Sequence, residues 1–84
     1  MDVEYSLKFL RTFKKLPKDA KILAREKIEI FQKDPFDAKL KTHKLSGPLR
    51  NYWAFGINQK YRVIFSFFNS KIARFHIVGD HSIY

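Results

Sequence analysis

The stretch from Tyr52 to Val78 constrains the fold more than any other part of the chain, because it has room for three short strands and little else. Tyr52-Trp53-Ala54-Phe55-Gly56-Ile57, Tyr61-Arg62-Val63-Ile64-Phe65-Ser66-Phe67-Phe68 and Ile72-Ala73-Arg74-Phe75-His76-Ile77-Val78 are dense in aromatic and β-branched residues, with Asn58-Gln59-Lys60 and Asn69-Ser70 as short turns between them. An antiparallel meander is the simplest arrangement. Alternation puts Trp53, Phe55, Ile57, Val63, Phe65, Phe67, Ala73, Phe75 and Ile77 on one face, which reads as a core. The other face would carry Arg50, Tyr52, Ala54, Gly56, Arg62, Ile64, Ser66, Arg74 and His76, a surface suited to an anionic partner.

Ahead of the meander, Val3-Glu4-Tyr5 suits a short strand, and Ser6 suits the N-cap of a helix from about Leu7 to Lys15 whose apolar positions are Leu7, Leu10, Phe13 and Leu16. Pro17 stops that helix and opens a second, in which Asp19 favours the positive end of the dipole and Ala20, Ile22, Leu23, Ile28, Ile30 and Phe31 supply apolar surface. Asp34-Pro35-Phe36-Asp37 ends it, and a basic connection, Ala38 to Leu49, leads into the sheet. The order β-α-α-β-β-β predicts an α+β domain, a helical hairpin packed on one face of an antiparallel sheet. The N-terminal strand is expected beside the last one, since alone its backbone groups would go unpaired. A chain of 84 residues suits one small core, so residues 1–84 are read as a single domain.

Charge is distributed unevenly. Residues 1–37 hold nine Lys/Arg and seven Asp/Glu, a net of +2, whereas residues 38–84 hold eight Lys/Arg and only Asp80, a net of +7. From Ala38 to Gly79 there is no acidic residue, so this half attracts phosphate-rich or carboxylate-rich partners. With no cysteine, the core must hold without disulfides, and no apolar run reaches the length of a membrane span or secretion signal. A cytoplasmic protein without membrane association is the expectation.

Leu45-Ser46-Gly47, Tyr52-Trp53, Tyr61-Arg62-Val63-Ile64-Phe65 and the tail Gly79-Asp80-His81-Ser82-Ile83-Tyr84 occur in the order that resembles the RelE/ParE superfamily of bacterial toxins, especially its YafQ-like and YoeB-like branches. The resemblance covers essentially the whole chain. It rests on the joint order of individually weak motifs. It implies the RelE-like fold, no cofactor, and the toxin half of a type II toxin–antitoxin pair. Its partners would be an acidic cognate antitoxin, the ribosome and mRNA, with DNA met only through the antitoxin. It also implies a metal-independent endoribonuclease, an mRNA interferase, that cuts mRNA in the ribosomal A site and inhibits translation.

By the same resemblance Arg62 matches the arginine placed against the scissile phosphate, His81 the C-terminal histidine and Tyr84 the aromatic near the end. The chemistry agrees with those roles. Attack by the RNA's own 2′-hydroxyl needs a base, an acid for the leaving oxygen and cations on the phosphate, and histidine, with an unperturbed pKa of about 6.5, serves as either near neutrality. Arginine is a permanently charged fork, and tyrosine stacks on a base or hydrogen-bonds near the cleaved link. The RNA-binding set expected beside these is Arg50, Lys60, Lys41, His43, Lys44 and Arg74, with Lys39, Lys41 and Lys44 also available to an acidic antitoxin segment. The three histidines show no metal-ligand spacing, so no metal site is expected. Ala54 and Gly56 stand where relatives carry charged or histidine residues, which leaves two further readings: a catalytically weakened RNA- or ribosome-binding member, or a ParE-like inhibitor of DNA gyrase.

Overall fold

A computed structural model describes residues Met1–Tyr84. Strand β1 (Asp2–Tyr5) leads into helices α1 (Leu7–Lys14) and α2 (Lys18–Lys33). Strands β2 (His43–Lys44), β3 (Trp53–Gly56), β4 (Arg62–Phe67) and β5 (Ile72–Gly79) follow, with short 3₁₀ turns at Ala38–Leu40, Gly47–Leu49 and His81–Ile83. The sheet order is β1-β5-β4-β3-β2. The meander and the placing of β1 beside β5 agree with the sequence reading, but β1 runs parallel to β5, so the sheet is mixed rather than wholly antiparallel. Inside the basic connection, the two-residue β2 adds an edge strand that the sequence pattern did not announce.

Ser6 caps α1 as expected, its Oγ accepting from the Phe9 amide at 2.9 Å. The buried stripe of α1 differs from the expected one. Phe9 is buried, whereas Leu7 is 74% exposed and Leu10 46%, because the helix seats on the core along Phe9 and Phe13, with Leu16 following in the turn after it. On α2 the spacing of Ala20, Ala24 and Phe31 defines the inner face, and Ile22 is turned outward. Phe31 is the hub of the core: its ring centroid lies 5.2 Å from Phe55, 4.9 Å from Phe65 and 5.0 Å from Phe75, joining α2 to β3, β4 and β5. Truncating such a residue to alanine costs about 3–5 kcal/mol.

One irregularity changes the face assignments. Ile64 pairs with Ile77 but Phe65 pairs with Phe75, so His76 is an extra residue in β5, a bulge. Beyond it the alternation inverts. Val78, not Ile77, enters the core, and Ile77 joins Ile64 on the other face. Strand β1 reaches only as far as Phe75, so the outward backbone groups of β5 past that point need other partners. Helix α1 supplies them: Ser6 Oγ donates to the His76 carbonyl at 2.9 Å and the Val78 amide donates to Thr12 Oγ1 at 3.2 Å.

Candidate functional site

Opposite the helices, the sheet does not present the continuous cationic face expected from alternation. Its centre is an apolar row, Ala54, Ile64 and Ile77 paired across β3, β4 and β5, and the first two are buried. Cations gather at one end instead. The next row is Gly56, Arg62 and Gly79, in register on three neighbouring strands. Arg62 thus has a glycine as its cross-strand partner on each side, and its Nη1 donates to the Gln59 carbonyl at 3.4 Å.

The tight β3–β4 turn sets the position of Arg62. Asn58 Oδ1 accepts from the Lys60 and Tyr61 amides at 2.9 and 2.7 Å, and the Ile57 amide donates to the Tyr61 carbonyl at 2.9 Å. Beside this turn opens a cleft of about 550 Å³ lined by Lys27, Lys39, Lys41, His43 and Arg62 with the polar Asn58 and Gln59, and by no carboxylate. A volume of this size falls within the range of small-ligand sites. Four permanent cations without an acid make it an anion site by charge alone.

His43 reaches the cleft with one ring nitrogen engaged. Its Nδ1 lies 3.0 Å from the Lys41 carbonyl oxygen, which only accepts, so this contact favours a proton on Nδ1 and leaves Nε2 free of a protein partner. Lys41 is the one non-glycine residue with positive φ, at φ 53° and ψ 39°, and this left-handed backbone closes the Ala38–Leu40 turn. Asp37 holds the other end of the turn, accepting from the Lys39 amide at 2.8 Å, and buried Leu40 anchors it in the core.

The site residues expected from sequence do not all converge. Arg62, Lys41 and His43 share the cleft. Lys44 pairs with Trp53, so alternation places it on the helix-side face, away from His43. Arg74 sits in register with Glu4 and is paired with it through Nε at 3.1 Å and Nη2 at 2.8 Å, while its guanidinium covers Phe68 at 5.4 Å. Its charge is therefore largely answered within the fold. Arg50 is exposed after the Gly47–Leu49 turn, and Lys60 lies over the Tyr61 ring at 5.4 Å; neither lines the cleft. Lys27 and Lys39 do line it. Lys27 sits on α2 among other surface lysines, and nothing in the sequence distinguished it.

His81 and Tyr84 belong to the terminal 3₁₀ turn, outside the cleft lining. Gly79 is opposite Arg62, so the chain leaves the sheet at the same end, two residues before His81. Asp80 shapes that turn by accepting from the Ser82 hydroxyl at 2.6 Å and the Ser82 amide at 3.0 Å. Those bonds, the side-chain one first, hold its carboxyl below the ordinary aspartate pKa, with smaller help from the charges of His81 and Lys60. His76 is occupied elsewhere: its Nε2 lies 2.7 Å from Ser66 Oγ and its ring meets Tyr52 edge-on at 5.1 Å. No three His, Asp or Glu side chains come together as a ligand set, so no residue is assigned to a metal.

No protein-family profile matches the chain, and no curated protein matches it. Solved structures do. YafQ from E. coli strain BL21(DE3) superposes with a TM-score of 0.80 at 22% identity, over 98% of this chain and 94% of that one. A YoeB/ParE toxin from Agrobacterium tumefaciens gives 0.80 at 16% identity, over 96% and 99%. A chain of the toxin–antitoxin complex RelBE2 from Mycobacterium tuberculosis gives 0.79 at 15% identity, over 95% and 96%. Two helices on a five-stranded mixed sheet are the fold of these RelE/YoeB-type toxins, and this chain has that fold.

Proposed function

We propose that this chain is the toxin of a type II toxin–antitoxin pair, and that it is an endoribonuclease acting on mRNA at the ribosome. The observation that carries the reading is the acid-free cleft in which Arg62, flanked by Gly56 and Gly79, stands with His43. The fold shared with solved toxins supports the class. A phosphodiester is the anion this chemistry suits. The guanidinium holds a phosphate in two-point fashion and gains most as negative charge builds on the oxygens in the transition state.

In the proposed reaction the 2′-hydroxyl gives its proton to a base and its oxygen bonds to phosphorus. The 5′-oxygen then leaves with a proton from an acid, giving a 2′,3′-cyclic phosphate and a 5′-hydroxyl. His81 fills one proton-transfer role in this reading, and His43 takes the other. Tyr84, 47% exposed, stacks on a base beside the cleaved link. Arg50 and Lys60 add long-range attraction for RNA. The reading places the protein in the cytoplasm, with an acidic antitoxin segment that folds on contact and neutralises the cationic half.

Induced expression in bacteria tests the proposal. Wild type should lower protein synthesis and cleave mRNA within minutes, Arg62→Ala should do neither, and co-expression of an acidic partner protein should restore growth. An induced DNA-damage response with translation intact would favour gyrase inhibition and overturn the nuclease reading.

A further inference from the structure

The cleft has a second wall. Lys27 Nζ, from α2, donates to the Lys39 carbonyl at 3.2 Å, so the end of a flexible side chain is tethered to the Ala38–Leu40 turn. An ammonium has three donors and this contact uses one. Neither Lys27 nor Lys39 has a carboxylate partner: the single ion pair in the chain joins Arg74 to Glu4. Two unanswered cations from different elements therefore border the same space as Arg62, Lys41 and His43. Holding like charges together without an acid costs stability, which a bound polyanion would offset.

We propose that Lys27 and Lys39 form a second phosphate subsite, which takes the phosphate adjoining the one on Arg62 along a single RNA strand. This rests on the reading of the cleft as an RNA site. The subsite makes the cleft selective for a polymer over a mononucleotide, since only a strand with successive phosphates engages both walls. Lysine suits such a role because it is a compact point charge that accepts a phosphate from many directions, whereas arginine imposes the geometry at the reacting one.

The test compares two probes, adenosine monophosphate and a short 2′-O-methyl RNA that cannot be cleaved, titrated into wild type, Lys27→Gln, Lys39→Gln and Arg62→Ala. Glutamine at 27 keeps an N–H donor and removes only the charge. The expected result is a roughly 3–10-fold loss of oligomer affinity for each lysine variant, a log–log salt slope smaller by about 0.7, and mononucleotide affinity unchanged within twofold. Arg62→Ala should weaken both probes. Lysine variants that bind the oligomer as wild type does, or that lose both probes equally, overturn the second subsite. A wild type that binds the oligomer with this pattern yet cleaves no mRNA keeps the subsite and removes the nuclease. A wild type that binds no oligomer removes both.

Discussion

Gly79 and Ile83 approach so closely that a methyl group on residue 79 would lie 2.6 Å from Ile83 Cγ2. Real Cβ atoms essentially never come that near, so a side chain at 79 would force Ile83 to shift, and Ile83 belongs to the turn that carries His81. Gly79→Ala should leave the core intact, with far-ultraviolet circular dichroism unchanged, while displacing the His81–Ile83 turn. If His81 takes part in cleavage, mRNA cleavage by this variant should fall at least tenfold. Undiminished cleavage would mean that the turn's position does not matter to the reaction.

His81→Gln separates proton transfer from placement. On the proposed nuclease reading it should keep the fold and ribosome affinity while lowering single-turnover cleavage on programmed ribosomes by about 10²–10⁴-fold, the range for lost general acid–base catalysis. Tyr84→Phe should retain cleavage if the ring acts by stacking. Wild-type rates from His81→Gln would take this histidine out of the mechanism.

The strands were legible because aromatic and β-branched runs bounded by Asn-rich turns have few alternatives, and the parity of Phe55, Val63, Phe65 and Phe75 held. Parity failed at His76, since a count of alternating residues assumes a regular ladder and a bulge has no compositional mark. Strand β2 escaped because two residues carry no period. On α1, Leu7, Leu10 and Phe9 are all apolar, and which of them is buried depends on how the helix seats along β5, a tertiary choice. The site was half visible. Arg62 and His43 stood out beside motif residues, but Lys27 enters the cleft only because α2 packs where it does, and Arg74 is answered by Glu4, 70 positions away in the chain.

That last pairing distinguishes two arginines that look alike in the sequence. Arg74→Ala should leave the salt dependence of RNA binding unchanged, whereas Arg62→Ala should lower the log–log slope by about 0.7, the value for one phosphate on a single strand. The half-exposed Arg74–Glu4 pair contributes little to stability, about 0–1 kcal/mol. Equal slope changes for the two variants would refute the division between an answered and a free cation.

His76 makes stability depend on pH. Burial, and secondarily the charge of Arg74, lower its pKa below the ordinary histidine value. Ser66 Oγ and the Tyr52 ring complete its surroundings. The unfolded chain therefore binds this proton more readily than the folded one. Stability is full above the unfolded pKa of about 6.5 and falls as pH drops from there through the lower folded value. The melting temperature should decline between pH 7.5 and 5, and His76→Gln should flatten that decline. An equal decline in the variant would assign it to other groups.

Lys41 couples strain to binding. Its left-handed backbone, at φ 53°, costs a side-chain-bearing residue about 1–2 kcal/mol that glycine avoids. Glycine gives back about 0.4–1 kcal/mol through the greater freedom of the unfolded chain. Lys41→Gly should thus be modestly stabilising, and each kcal/mol gained is worth about 4–8 °C in a domain of this size. The backbone bonds persist in the variant: the residue 41 amide still reaches the Ala38 carbonyl, and its own carbonyl still accepts from His43. Lys41→Ala loses the same charge but keeps the strained backbone, so its melting temperature should not rise. Both variants should bind single-stranded RNA more weakly than wild type, because each removes one of the four cations lining the cleft. A Gly variant no more stable than the Ala variant would show that the left-handed turn stores no strain. RNA affinity undiminished in both would place Lys41 outside the phosphate path.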